Sequence, residues 1–90
     1  MRFTWDPQKA SSNLKKHRVS FLEAVTVFAD PLALVVEDAL YGERAVLIGE
    51  SAKRRLLVVV FLEAAESWIR IISARRATSH ERRRYEEGDW

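Results

Sequence analysis

The sequence predicts an α+β fold, with an N-terminal strand and two helices packed on an antiparallel meander sheet and a further helix at the C-terminus. Three observations carry that prediction. Four apolar stretches rich in β-branched residues, Leu32 to Glu37, Arg44 to Gly49, Arg55 to Leu62 and Trp68 to Arg75, follow one another with only short polar or glycine-containing links between them, and links that short join antiparallel neighbours. Two segments before these strands and one after them open with helix-capping signals. The run LLVVVFL has no polar alternation, so it belongs in the centre of a sheet covered on both faces. Ninety residues make one domain, 1–90, with a thin core.

In chain order, Phe3, Thr4 and Trp5 read as a short strand, and Asp6-Pro7 as a helix start with Asp6 at the N-cap and Pro7 at the first helical position. The first helix runs to about His17, with Ala10, Leu14 and His17 as a narrow stripe predicted to face the sheet. Ser20 and Glu23 form a capping box for a second helix, in which Phe21, Ala24, Val25 and Phe28 share one face and which Asp30-Pro31 ends. The links between strands fall around Tyr41-Gly42, Glu50 to Lys53 and Glu63 to Glu66. Thr78 and Glu81 form a third capping box, and Gly88 stands where a helix C′ glycine belongs. This last helix, about Thr78 to Glu87, is polar nearly all round and has acids at the unfavourable end of its dipole, so it needs a surface to dock on.

Composition excludes several function classes. With no cysteine there is no disulfide, thiolate zinc or thiol redox chemistry. The longest apolar run, Leu56 to Leu62, is far short of a membrane span and the N-terminus does not resemble a signal sequence, so a cytoplasmic protein is expected. No metal-ligand spacing, phosphate-loop glycine pattern or serine-histidine-acid arrangement is visible, and no cofactor is expected. Of the two histidines, His17 ends the first helix and His80 begins an exposed one; each also has a plain structural explanation. Charge is uneven: residues 1–50 hold six Lys or Arg against seven Asp or Glu, residues 51–90 nine against six, and eight of those nine are arginine, the side chain suited to planar contacts with phosphate or carboxylate.

Arg54, Arg55, Arg70, Arg75 and Arg76 are therefore the candidates for chemistry. Arg54 and Arg55 open the third meander strand as Arg75 and Arg76 close the fourth, so antiparallel pairing gathers those four at one end of the sheet. Strand alternation puts Arg75 on a face with Ser73 and Ile71, and Arg76 on the other with Ala74 and Ile72. Such a cluster, with Lys53 and Tyr85 nearby, suits binding of RNA phosphate and stabilisation of the charge that builds up at phosphorus. The bland alternatives are a sheet end kept soluble by charge, or a non-catalytic basic module that receives RNA or an acidic partner.

The segments FTWDPQK, Asn13, Lys16-His17, VSFLEA, FADPLAL, LLVVV, IRIISARRAT and ERRRYEE, in that order, resemble the BrnT family of type II toxins over essentially the whole chain. Trp5, Asp6, Lys9, Asn13, Lys16, His17, Ser73, Arg75, Ala77, Glu81, Arg82, Tyr85 and Glu86 match its pattern. Arg18 stands where the family usually has a glycine after the Lys-His pair, and Phe61 where many members have a polar residue or histidine. The resemblance implies a RelE-like fold and a metal-independent endoribonuclease that inhibits translation. It also implies a BrnA-type antitoxin partner, expected as a heterotetramer of two copies each, through which alone the toxin would meet DNA. In RelE-like enzymes the ribose 2′-hydroxyl attacks the adjacent phosphate. On that basis Arg75 is expected to stabilise charge, with Arg54 or Arg55 as a second clamp, and Lys16, Lys53, Arg70 and Arg76 to hold RNA. Lys16, His17, Tyr85 and Glu81 stay open as proton carriers.

Overall fold

The computed structural model describes residues 1–37, 43–64 and 66–88; the link expected at Tyr41-Gly42 lies outside them, as does Ala65 of the link expected at Glu63 to Glu66. The elements are β1 (Arg2–Thr4), α1 (Pro7–His17), α2 (Phe21–Thr26) continued by a 3-10 turn (Val27–Ala29), β2 (Leu34–Glu37), β3 (Arg44–Glu50), β4 (Leu56–Glu63), β5 (Trp68–Arg76) and α3 (Ser79–Glu87). The capping signals set the helix starts. Asp6 accepts from Gln8 N at 2.8 Å, Ser20 accepts from Glu23 N at 3.0 Å, and at α3 both arms of the Thr78–Glu81 box form. At α2 only the serine arm is present, because the Glu23 carboxylate is engaged elsewhere.

The sheet order is β1-β5-β4-β3-β2. Strands β2 to β5 form the antiparallel meander, with β4 central, and β1 adds in parallel beside β5, pairing Arg2 to Thr4 with Trp68 to Arg70. The five-stranded sheet is therefore mixed, and among the described residues no strand flanks β5 on its β1 side beyond Arg70. Helices α1 and α2 cover one face, where Val19, Phe21, Ala24 and Val27 pack on Leu57, Val59, Phe61, Ile71 and Ala74. Full burial of each large side chain there contributes about 2 kcal/mol. Phe28 joins Phe3 to Phe61 through edge-on contacts, each with ring centroids 5.0 Å apart. Gly49 allows this layer to close: a Cβ there would lie 2.9 Å from both Ala33 Cβ and Val27 Cγ1.

Helix α3 docks on the opposite face. Tyr85 and Ala77 pack on Leu34, Ile48, Leu56 and Val58, and the Tyr85 hydroxyl donates to Asp30 Oδ2 at 2.6 Å. A helix that is otherwise polar is thus held by one aromatic residue with an apolar body and a polar tip.

Two expectations need correction. The register shifts between Val60 and Phe61, which pair with Ser73 and Ile71, so Ile72 is an extra residue in β5. Such a bulge reverses the alternation. Arg75 accordingly shares the α3 face with Ser73 but not with Ile71, and Arg76 lies on the face of Ala74 and Ile71, not of Ile72. In α1 the expected stripe of Ala10, Leu14 and His17 is not what is buried. Ala10 packs against the core but Leu14 is 48% exposed, and the buried residue of the helix is Asn13.

Candidate functional site

Asn13 explains how α1 lies against β5. Its amide nitrogen donates to Ala74 O at 2.8 Å and Val19 O at 2.9 Å, and its Oδ1 accepts from Ala74 N at 3.1 Å. The backbone of β5, bare where β1 has ended, is completed by a side-chain amide that supplies the donor and acceptor a neighbouring strand would have offered.

Fixed this way, α1 and β5 bound an open groove of about 450 Å³ lined by Asp6, Gln8, Lys9, Ser12, Asn13, Lys16, His17, Ile72 and Ser73. Lys9, Ser12, Asn13 and Lys16 follow the spacing i, i+3, i+4, i+7, which aligns them along one side of a helix. The Asp6 carboxylate is occupied as the N-cap, so the groove's free charges are cationic. Neither Lys9 nor Lys16 is in an ion pair among the described residues. The groove thus brings together two ammonium groups for an anionic backbone, an imidazole, and Ser73 of β5.

Pairing of Leu57 with Arg76 and Val58 with Arg75 brings Arg54, Arg55, Arg75 and Arg76 to one end of the sheet, as expected, but Arg70 is not among them. Arg70 pairs with Leu62 toward the far end of β5, roughly 16 Å along the strand from Arg75. Arg54 and Arg55 precede β4 rather than opening it. Arg54 is exposed in the left-handed conformation, φ 60°, within the turn closed by hydrogen bonds between Ser51 and Arg55. Arg55 folds back onto Glu23. Its Nε donates to Glu23 Oε2 at 2.9 Å, one terminal nitrogen meets Glu23 Oε1, and the same nitrogen donates to the Arg18 carbonyl at 3.0 Å. Ser51 completes the knot by donating to Glu23 Oε2 at 2.7 Å. The Arg55 hydrogen bonds hold the Glu23 carboxyl below its usual range against the opposing effect of burial. Arg55 thus ties α1, α2 and the turn before β4 together, which the sequence reading took for an anion clamp.

Arg75 lies beside the site on the α3 face. Its two terminal nitrogens grip both oxygens of Glu81 at 2.9 and 2.8 Å, and one also donates to the Arg76 carbonyl at 3.2 Å. The Arg75 hydrogen bonds hold the Glu81 carboxyl down to about 2. Glu81 Oε1 also accepts from Thr78 N at 2.8 Å, so a single carboxylate caps α3 and orients Arg75. The Arg75 side chain is still 41% exposed. Tyr85 is differently placed: burial, then its bond to Asp30, push its hydroxyl up to about 12. Lys53 and Arg76 are exposed, Lys53 in the turn with Arg54 and Arg76 at the end of β5. His80 is exposed on α3. Among the described residues, no group of three or more His, Cys, Asp or Glu side chains is arranged to hold a metal ion.

The sequence reading missed Lys9 as a groove residue and Ser12 altogether. The signal for both is the polar stripe of α1 at helical spacing, which apolar periodicity does not mark.

The profile of a family described as "Ribonuclease toxin, BrnT, of type II toxin-antitoxin system" matches residues 5–81, a span that includes every groove residue, Arg75 and Glu81. A solved structure, the 1.1 Å crystal structure of the Brucella abortus ribonuclease toxin BrnT, is similar at 25% identity with a TM-score of 0.73. That likeness covers 88% of this chain and 99% of the Brucella chain. No curated protein matches.

Proposed function

The chain belongs to the BrnT family of ribonuclease toxins of type II toxin–antitoxin systems, and from that premise we propose a RelE-like endoribonuclease that cleaves RNA without a metal ion, stops translation and is neutralised by a BrnA-type antitoxin. The observation that carries this reading is the groove between α1 and the edge of β5, which Lys9, Lys16, His17 and Ser73 line.

The RNA backbone lies along the groove with phosphates against Lys9 and Lys16. His17 takes the proton from the ribose 2′-hydroxyl as its oxygen attacks the neighbouring phosphorus. The bond from phosphorus to the 5′-oxygen then breaks and that oxygen takes a proton from water, leaving a 2′,3′-cyclic phosphate and a 5′-hydroxyl. Arg75, on the same face as Ser73 and two residues further along β5, stabilises the charge that grows on the phosphoryl oxygens. Arg54, Lys53 and Arg76 extend the cationic surface for the substrate.

Arg55 and Tyr85 we assign to holding the fold, because the first is committed to Glu23 and the second donates to Asp30 with a hydroxyl pushed up to about 12. Arg70 we place outside the groove's contacts. Two toxins and two antitoxins form the resting complex, and contact with DNA is the antitoxin's. The test is incubation of purified protein with RNA, with and without chelator, and analysis of the product ends. Cyclic phosphate ends formed equally in chelator support the mechanism. Cleavage that stops in chelator and returns with magnesium, with RNA folding unchanged, overturns it.

A further inference from the structure

A second groove lies on the other side of α1. Its floor is Trp5, Ala10 and Phe21, the last two packed in the main core, and its walls are Leu14 and Leu22, which are 48% and 72% exposed. Trp5 meets Phe21 edge-on at 5.9 Å. The groove measures about 320 Å³, room for one or two leucine-sized side chains. Through Leu14 it adjoins a hollow lined by Lys15 and Arg18. Neither cation is in an ion pair among the described residues.

Arg18 adds an independent observation. It ends α1 in the left-handed conformation, φ 58°, with its backbone N–H bonded to Leu14 O. Glycine takes that conformation without strain, whereas a residue bearing Cβ does not. A long cation therefore stands at a backbone position that disfavours it, in the hollow that adjoins the apolar groove through Leu14.

We propose that this α1–α2 groove is a docking site for the antitoxin, filled by an amphipathic helix that seats one or two apolar side chains between Leu14 and Leu22 and presents a carboxylate to Lys15 and Arg18. The occupant is acidic because the rim is unpaired and basic. A second copy of this chain docked groove to groove would bring like charges together, and the leucine walls offer RNA no polar partner. The proposal rests on the toxin–antitoxin reading. It also puts antitoxin and RNA on opposite sides of α1, so neutralisation acts through that helix or through the remainder of the antitoxin.

The test uses purified toxin and the antitoxin encoded beside it, titrated by fluorescence, with Leu22→Ser and Arg18→Gly variants and RNA cleavage by free toxin as the second readout. Each variant should weaken antitoxin binding at least about tenfold. Arg18→Gly should do so with an unchanged or higher melting temperature and a shallower salt dependence, and both should cleave RNA as the parent does. Undiminished antitoxin binding by both variants, with cleavage still neutralised, overturns the groove assignment and leaves the ribonuclease reading standing. A toxin dimer that Leu22→Ser dissolves without affecting antitoxin binding overturns it as well. Failure of the antitoxin to bind or neutralise the parent toxin would instead defeat the partner reading on which the proposal depends.

Discussion

Asn13→Ala tests how the cleavage groove is built. The change removes two hydrogen bonds donated to Val19 O and Ala74 O and one accepted from Ala74 N, and so leaves three backbone groups short of a partner at a site where the side chain is nearly enclosed. A buried group deprived of its partner costs about 1–3 kcal/mol. Asn13 also lines the open groove, so water can reach part of the vacated space; the lower figure therefore applies to each group, about 3 kcal/mol in all. For a small domain whose total stability is about 5–15 kcal/mol, that is a large fraction. With a urea m-value of about 1 kcal/mol/M, the unfolding midpoint should fall by roughly 3 M. Asn13→Asp is nearly isosteric but sets a carboxylate against two carbonyl oxygens. It should be at least as costly at neutral pH and recover on acidification, because burial raises its pKa above the unfolded value and the penalty grows as pH rises. Urea denaturation followed by tryptophan fluorescence measures both variants. A midpoint shift under about 0.5 M for Asn13→Ala would refute the idea that this amide completes β5, and with it the account of why α1 holds its place.

Arg75→Ala should remain folded and still bind antitoxin while losing roughly 10² to 10³ in cleavage rate, and Arg75→Lys should rescue poorly because a point charge cannot reproduce the planar fork. Single-turnover cleavage assays decide this, and a folded variant with full activity would remove Arg75 from the site. Arg83→Ala, on the exposed side of α3, should stay toxic in a growth assay. The Glu81 carboxyl, held down to about 2 by Arg75, contributes stability that is complete above its ordinary value near 4.5 and is lost as pH falls toward 2. Because the pair is partly exposed, the contribution is about 1 kcal/mol; Glu81→Gln should flatten the acid limb of the stability profile, and an unaltered limb would count against the pair. Tyr85→Phe should lower stability by about 1 kcal/mol through loss of the bond to Asp30 yet leave cleavage intact, since Tyr85 is placed here as a clamp for α3.

Much of the fold was legible because its signals are local. Asp6-Pro7, Ser20 with Glu23, and Thr78 with Glu81 mark helix starts within four residues of chain, and the unbroken apolar run of β4 announces a strand covered on both faces. What escaped were consequences of distant partners. Nothing near Asn13 shows that its amide will meet Ala74, and so α1 was assigned the wrong buried side. Ile72 looks like any strand residue, yet as the extra residue in β5 it reverses which face Ile71 shares with its neighbours. Glu23 reads as half of a capping box until Arg55 and Ser51 draw its carboxylate away. The arginine-rich end was visible as composition, but counting charges does not reveal that Arg55 and Arg75 already hold carboxylates while Lys9, Lys16 and His17 face an open groove. Family resemblance picked out most of the groove residues without showing that they converge.

In the proposed mechanism the α1–β5 groove cleaves RNA with its own cationic and imidazole groups. The most direct measurement is the single-turnover rate of RNA cleavage in excess chelator by the parent protein and by His17→Ala, with both confirmed as folded and both competent to bind antitoxin. Full cleavage by the parent, ending in 2′,3′-cyclic phosphate, and a rate at least about 10² lower for His17→Ala are expected. Equal rates for the two proteins would contradict that mechanism.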